Sequence, residues 1–323
     1  MTRSDAFVAL AETTRSGVAE STHFGVVVAL ARDGTVAFSA GDPLVAIYPR
    51  SSNKPMQAIA MVRNGLTLPP DLLALVCASH DGTRVHLDGV RRILASAGLD
   101  ESALQNTPDF ALDDGSRERT LREGGERSSL QQNCSGKHSG MLATCVINGW
   151  PLGSYLDSDH PLQLAVDDDI AHLTGEPLGH IGIDGCGAPA HVMSLLGLAR
   201  AFRAIAVAEP DSDAGRVSVA MRAHPELVGG EHRDVTLFMR HVPGLVAKDG
   251  AEAVFAAALP DGRTVAVKVA DGNHRACPPI VVEALRRLGV DVGAVAEYVH
   301  EPIMGHGREV GEVRVLLDGS GPA

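Results

Sequence analysis

Apolar and polar positions along the chain switch between a period of two and a period near 3.6. Residues 24–31 form a β-rich apolar run, Asp33-Gly34 supplies a turn, and residues 36–40 return, which predicts a β-hairpin. A second hairpin is predicted where Pro260-Asp261-Gly262-Arg263 joins strands over 251–258 and 264–269, and a last strand over 312–317. The middle of the chain reads as helical. One helix opens at Ser51 and ends near Asn64-Gly65. Others span 69–78, 84–97, 141–148, 161–174, 190–204 and 279–288. In the segment 84–97 the apolar positions Val85, Leu87, Val90, Ile93 and Leu94 fall among His, Asp and Arg, as on an amphipathic helix. Residues 181–183 suggest a short buried strand. Residues 113–132 are polar and rich in Gly, Ser and Arg, with no clear period, and long polar connections of this kind tend to be lids or binding loops. Strands at both chain ends with helices between them predict an antiparallel sheet assembled from both termini. That is one α+β domain over residues 1–323.

Composition narrows the function. The chain has 323 residues, 45% of them hydrophobic and 3% aromatic, so Ala, Val and Leu must fill a large core. A formal charge of −12 without any basic cluster argues against nucleic acid or an anionic membrane as partner. No apolar run approaches the roughly 18 residues of a membrane span. The N-terminus lacks the basic-then-apolar order of a signal peptide, and a cytoplasmic location is the expectation. Five cysteines form a sparse, odd set that reads as reduced thiols. Most of the 14 histidines read as surface or satisfied residues.

The lysines are the informative residues. The sequence uses 24 arginines but only four lysines, at positions 54, 137, 248 and 268. Arginine stays protonated in proteins, whereas a buried lysine can become neutral and act as a base. Lys248, in Ala-Lys-Asp-Gly, reads as a turn residue without a role. Lys54 forms a Ser-x-x-Lys pair with Ser51, a spacing found in serine β-lactamases and penicillin-binding proteins. The competing reading is a helix N-cap serine followed by a surface lysine. Lys268 lies between Val267 and Val269 on a predicted strand, and the competing reading is a solvent-facing edge residue. Cys134 and Lys137 have C-x-x-K spacing, His138 follows, and Cys186 sits in a Gly-rich turn after Asp184. These could supply zinc ligands. Spacing alone favours small buried cysteines beside a helix cap, because no second C-x-x-C follows. Asp184 would recognise an amino group or simply form an Asx turn.

In combination and order, several segments resemble the asparaginase II family of rhizobial-type L-asparaginases. They are Glu20-Ser21-Thr22-His23-Phe24-Gly25, Pro49-Arg50-Ser51-Ser52-Asn53-Lys54-Pro55, Cys77-Ala78-Ser79-His80, residues 133–141, Asp184-Gly185-Cys186-Gly187-Ala188-Pro189, and Val267-Lys268 ahead of Asp271-Gly272. The resemblance implies a fold similar to serine β-lactamases and glutaminases, a homodimer, and hydrolysis of L-asparagine to L-aspartate and ammonia. It also implies two Ser-Lys tandems, Ser51 with Lys54 and Ser79 with Lys268, and a zinc site at Cys134, Lys137 and Cys186. Arg50, His138 and Asp184 are the candidate substrate-binding residues. The stretch 116–129 matches no motif of the family. Rival readings are a glutaminase or other amide hydrolase of the same fold, and a non-catalytic zinc or amino-acid binding protein.

Overall fold

The structure, a computed structural model, describes residues 3–317; Met1 and Thr2, the start of the segment read for a leader, and residues 318–323 lie outside it. Seven strands form one antiparallel sheet: β1 (Val8–Arg15), β2 (Val18–Leu30), β3 (Val36–Ala40), β4 (Val246–Gly250), β5 (Val254–Ala258), β6 (Thr264–Val269) and β7 (Val313–Val315). Their order is β7-β1-β2-β6-β5-β4, with β3 beside β2. Both predicted hairpins are present, β2 with β3 and β5 with β6, and the sheet does join the two ends of the chain. The reading missed β1, whose Val-Ala-Leu-Ala-Glu-Thr-Thr-Arg has too little alternation to announce a strand. The 13-residue β2 organises the sheet. Its first half pairs with β1, and its second half pairs with β3 and with β6.

Every residue of β4, β5 and β6 is buried. Helix α7 (Leu195–Val207) and the helix Cys277–Arg287 pack on β6, and β5 and most of β6 read as runs of small apolar residues rather than as alternating strands. Lys268 is therefore on a central strand, 6% exposed, and the edge-strand reading is wrong. Ala247-Lys248-Asp249 lies inside β4, so the turn assigned to Lys248 is wrong as well.

The helical side is built on α1 (Lys54–Arg63), α2 (Pro70–Val76), α3 (Arg84–Ser96), α5 (Ser135–Asn148), α6 (Pro161–Thr174) and α8 (Asp213–Ala223). Helix α1 is buried from Lys54 to Val62, and it ends at Asn64 and Gly65, whose φ of +92° suits glycine. Helix α5 begins six residues earlier than its apolar run suggested. Gly136 and Gly140, four apart, let it approach α2: a Cβ on Gly136 would sit 2.2 Å from the Leu75 carbonyl.

The segment 113–132 is not structureless. It contains α4 (Asp114–Arg122), capped by the Asp113 carboxylate accepting from Ser116 N–H. None of its residues is buried, so no apolar period betrayed it. Residues 181–183 are a strand, but Ile183 is 86% exposed and the expected burial is wrong. The helix predicted from residue 190 starts only at Leu195, after the short strands Pro189–His191 and Met193–Ser194.

Gly136→Ala should destabilise the protein by about 1–3 kcal/mol, because backbone must shift to admit the methyl group. Urea unfolding would measure this, and a change within about 0.5 kcal/mol would place the residue among ordinary surface positions.

Candidate active site

Ser51 is not within the helix. It lies in a 3₁₀ turn, Arg50–Asn53, that runs directly into α1 with Lys54 as the first α-helical residue. Arg50 adopts φ +52°, a left-handed conformation rare for a side-chain-bearing residue. Lys54 is 1% exposed, and its Nζ donates to the Ala78 carbonyl and, at 3.1 Å, to Ser79 Oγ. The lysine of the first predicted tandem thus reaches the serine of the second. Ser51 and Ser79 line one cavity of about 210 Å³, with Arg233, Asp249, Glu252 and His274 among its other walls. Lys268 Nζ donates to the Glu252 carbonyl, holding the turn that forms one wall of this cavity.

The loop carrying Ser79 is fixed by its backbone. Ser79 N–H donates to Val228, His80 N–H to Asn133 and Asp81 N–H to Gly229. His80 Nε2 meets Ser135 Oγ at 2.8 Å while its ring stacks on His86 at 5.2 Å. Burial pushes the His80 pKa well down, and His86 and Lys54 push the same way, so the ring stays neutral.

Beside the serines lies a charge network that sequence reasoning missed. Lys248 is fully buried, and its Nζ donates to the Asp249 carboxylate and, at 2.9 Å, to the Asp249 carbonyl. Arg233 bridges Asp249 at 2.8 Å and Asp81 at 3.3 Å, tying β4 to the Ser79 loop. Burial lowers the Lys248 pKa, Asp249 resists this, and the neighbouring Lys54 adds to the lowering. Burial alone would raise the Asp249 carboxyl, but Lys248 and Arg233 hold it far below the usual range. The scarcity of lysine was the available signal for Lys248, and its turn-like neighbours concealed it.

A second cluster adjoins the first. Cys134, at the N-cap of α5, and Cys186 are buried together with Ala188, and Lys137 Nζ lies 3.3 Å from Cys186 Sγ. The Cys134 thiol is pulled well down by a hydrogen bond from Cys186, against burial and with help from Lys54 and Lys137; Cys186 is correspondingly pushed up. Arg50 pairs with Asp184 at 2.8 Å. Burial would raise the Asp184 carboxyl, yet Lys137 and Arg50 keep it below its ordinary value. His138 Nδ1 meets Tyr155 Oη at 2.7 Å, and its buried Nε2 has no hydrogen-bond partner among the described residues. Ten predicted residues therefore fall into two adjoining groups. Ser51, Lys54, Ser79 and Lys268 stand around the cavity, and Cys134, Lys137, Cys186, His138, Asp184 and Arg50 stand behind the Arg50 turn.

Among the described residues no three or more His, Cys, Asp or Glu side chains gather as a metal site. The donor set here is instead two thiols and an amine. Thiolates are soft ligands that suit zinc, and three adjacent buried donors match the ligand number of an open site. The donor types suit zinc, but although burial would lower the Lys137 pKa, Cys186 and Cys134 raise it, and that proton must leave before the amine can bind a metal.

These features define a cavity lined by two serine hydroxyls, with buried lysine amines bonded to its walls. A model of the L-asparaginase II family matches residues 11–315, and the chain belongs to that family. Solved structures similar to it include Mglu in its L-glutamate binding form, 15% identical, covering 81% of this chain and 59% of that one with a TM-score of 0.44. The chain thus spans about three-fifths of the length of Mglu. A β-lactamase from Mycobacterium bovis is 15% identical, with 82% and 94% coverage and a TM-score of 0.38. EstCE1, a hydrolase with promiscuous acyltransferase activity, is 12% identical, with 80% and 93% coverage and a TM-score of 0.44. Comparison with curated proteins gives no match.

Lys248→Met should cost about 3–5 kcal/mol, the effect of breaking a buried ion pair. A surface-turn lysine would cost under about 0.5 kcal/mol, and urea unfolding separates the two. The depressed Asp249 carboxyl contributes stability that is present above pH of about 4, its unfolded value, and is lost as pH falls towards the folded value.

Proposed function

We propose that the protein hydrolyses L-asparagine to L-aspartate and ammonia through an acyl-enzyme formed on Ser51. The observation that carries this reading is the buried Lys54 amine, hydrogen-bonded to Ser79 beside the cavity that both serines line. Family membership supports it.

In this mechanism Ser51 Oγ attacks the carbon of the side-chain amide, and its proton passes to a neutral Lys54 amine. Backbone N–H groups at the start of the Ser51 turn hold the developing oxyanion. The proton then moves from Lys54 through the Ser79 hydroxyl to the leaving nitrogen, the C–N bond breaks and ammonia departs. Water attacks the resulting ester, returns its proton by the same relay and releases L-aspartate. Lys54 acts in the first step as the uncharged amine, the form that can accept the serine proton. Lys268 supports the Glu252 wall of the cavity, while Arg50, His138 and Asp184 complete the substrate's surroundings.

Zinc, held by Cys134, Lys137 and Cys186, belongs to the same reading and would supply Lewis acidity beside the Arg50–Asp184 pair. The protein would act as a homodimer in the cytoplasm; among the described residues no helix is long and apolar enough to cross a membrane.

Ser51→Ala should lower ammonia release from asparagine by roughly a thousandfold or more while the fold persists. Lys54→Arg should be nearly as damaging, because arginine accepts no proton. Undiminished turnover in either variant removes the role assigned to it. Assays with asparagine, glutamine and aspartyl-glucosamine separate this reading from a glutaminase or another amidase, and turnover of none of them leaves a binding protein. Elemental analysis should find about one zinc per chain, lost in Cys186→Ser, and light scattering of the same material should give a dimer.

A further inference from the structure

We infer that Glu252 is the specificity-determining residue that receives the α-ammonium group of the amino-acid substrate. The inference rests on the amide-hydrolase reading of the same cavity and adds to it the group that selects amino acids.

Two carboxylates line the cavity of Ser51 and Ser79, and they differ in their partners. Asp249 is held by Lys248 and Arg233. The Glu252 carboxylate has neither ion pair nor hydrogen bond among the described residues. Its negative charge is the one in this wall that a cation has yet to meet. The cavity's guanidinium does not supply that cation, since Arg233 already bridges Asp81 and Asp249.

The placement of Glu252 is specific. It occupies the tight turn between β4 and β5 with φ +61°, and Ala253 follows at +54°. Side-chain-bearing residues rarely adopt this region, and such outliers concentrate at ligand sites where the surroundings enforce them. The enforcing contacts are at hand: Lys268 Nζ donates to the Glu252 carbonyl, and Val269 N–H donates to the Ala253 carbonyl at 3.0 Å. The side chain then lies against Gly272, where a Cβ would stand only 2.7 Å from Glu252 Oε2. Glycine at 272, itself at φ +74°, leaves the carboxylate its position. Two strained residues and a buried lysine clamp fix the backbone of this turn, and Gly272 leaves room for the solvent-exposed Glu252 carboxylate at the cavity wall. The ligand group that answers an unpaired carboxylate at the wall of an aqueous cavity is an ammonium, and an amino-acid amide carries one on its α-carbon.

The test compares L-aspartate with succinate, which is the same diacid without the amino group. Calorimetric titration of the full-length protein should find L-aspartate bound more tightly, on the order of tenfold to a hundredfold, as for a charge-assisted hydrogen bond. Glu252→Gln keeps the shape of the side chain and should erase this preference while leaving succinate affinity unchanged. Glu252→Asp should restore part of it. In turnover, Glu252→Gln should raise KM for L-asparagine more than it lowers kcat. A wild-type protein that does not prefer L-aspartate overturns the proposal. So does a Glu252→Gln variant that retains the preference, or one that loses both diacids equally. Because the titration needs no turnover, a protein that binds L-aspartate through Glu252 but releases no ammonia from asparagine would defeat the asparaginase reading alone.

Discussion

The desolvation of amines governs this structure. All four lysines are buried, at 0–6% exposure, although a lysine is ordinarily among the most exposed of residues. Moving an ammonium out of water carries a penalty of several kcal/mol per ion unless its protons find acceptors. Each lysine has a different answer. Lys54 uses the Ala78 carbonyl and Ser79, Lys137 uses the Cys186 sulfur, Lys248 uses Asp249, and Lys268 uses the Glu252 carbonyl. Three of the four lysines find acceptors on elements that line the cavity, namely the Ser79 loop, strand β4 and the β4–β5 turn. Lys137, at the start of α5, finds its acceptor in the adjoining Cys186 loop.

Arginine does the opposite work. Pairs such as Arg15–Glu20, Arg91–Glu101 and Arg286–Glu283 sit at half-exposed surface positions where water screens them and an always-charged group suits. Arg233 and Arg50 are the exceptions that clarify the rule. Both bind carboxylates at the edge of the site, where a permanent charge with a fixed fork ties two loops together. The four lysines are the buried amines that bind carbonyls, a hydroxyl, a sulfur and a carboxylate, and these two arginines are permanently charged braces between carboxylates and loops.

This division was partly legible in the sequence. The lysine census singled out positions 54, 137 and 268, and turn chemistry placed both hairpins, because Asp-Gly between β-rich runs fixes a local structure without long-range information. Lys248 escaped because Ala-Lys-Asp-Gly is locally a turn sequence, and only pairing with β5 makes it a strand. Helix α4 escaped for the opposite reason, since it buries none of its residues and so leaves no period to read. The pairing of Lys54 with Ser79 was equally out of reach. Ser-x-x-Lys spacing suggests a partnership within one turn, but the 3₁₀ turn at Ser51 rotates the start of α1 so that the amine meets a loop 25 residues away.

Backbone strain follows the same geography as the buried amines. Of the five residues other than glycine with positive φ among those described, Arg50, Glu252 and Ala253 flank the serines. None of these conformations is favoured locally, so each must be imposed by contacts the rest of the chain provides. Arg50 is held through Asp184, and the Glu252–Ala253 turn is held through Lys268 and Val269. The lysine that anchors this turn comes from a strand whose own position is set by β2 on one side and β5 on the other. A strained turn on an otherwise regular hairpin is costly unless it presents something a relaxed turn would not. Here it presents a carboxylate to the cavity of Ser51 and Ser79, and the central sheet is what makes that presentation rigid.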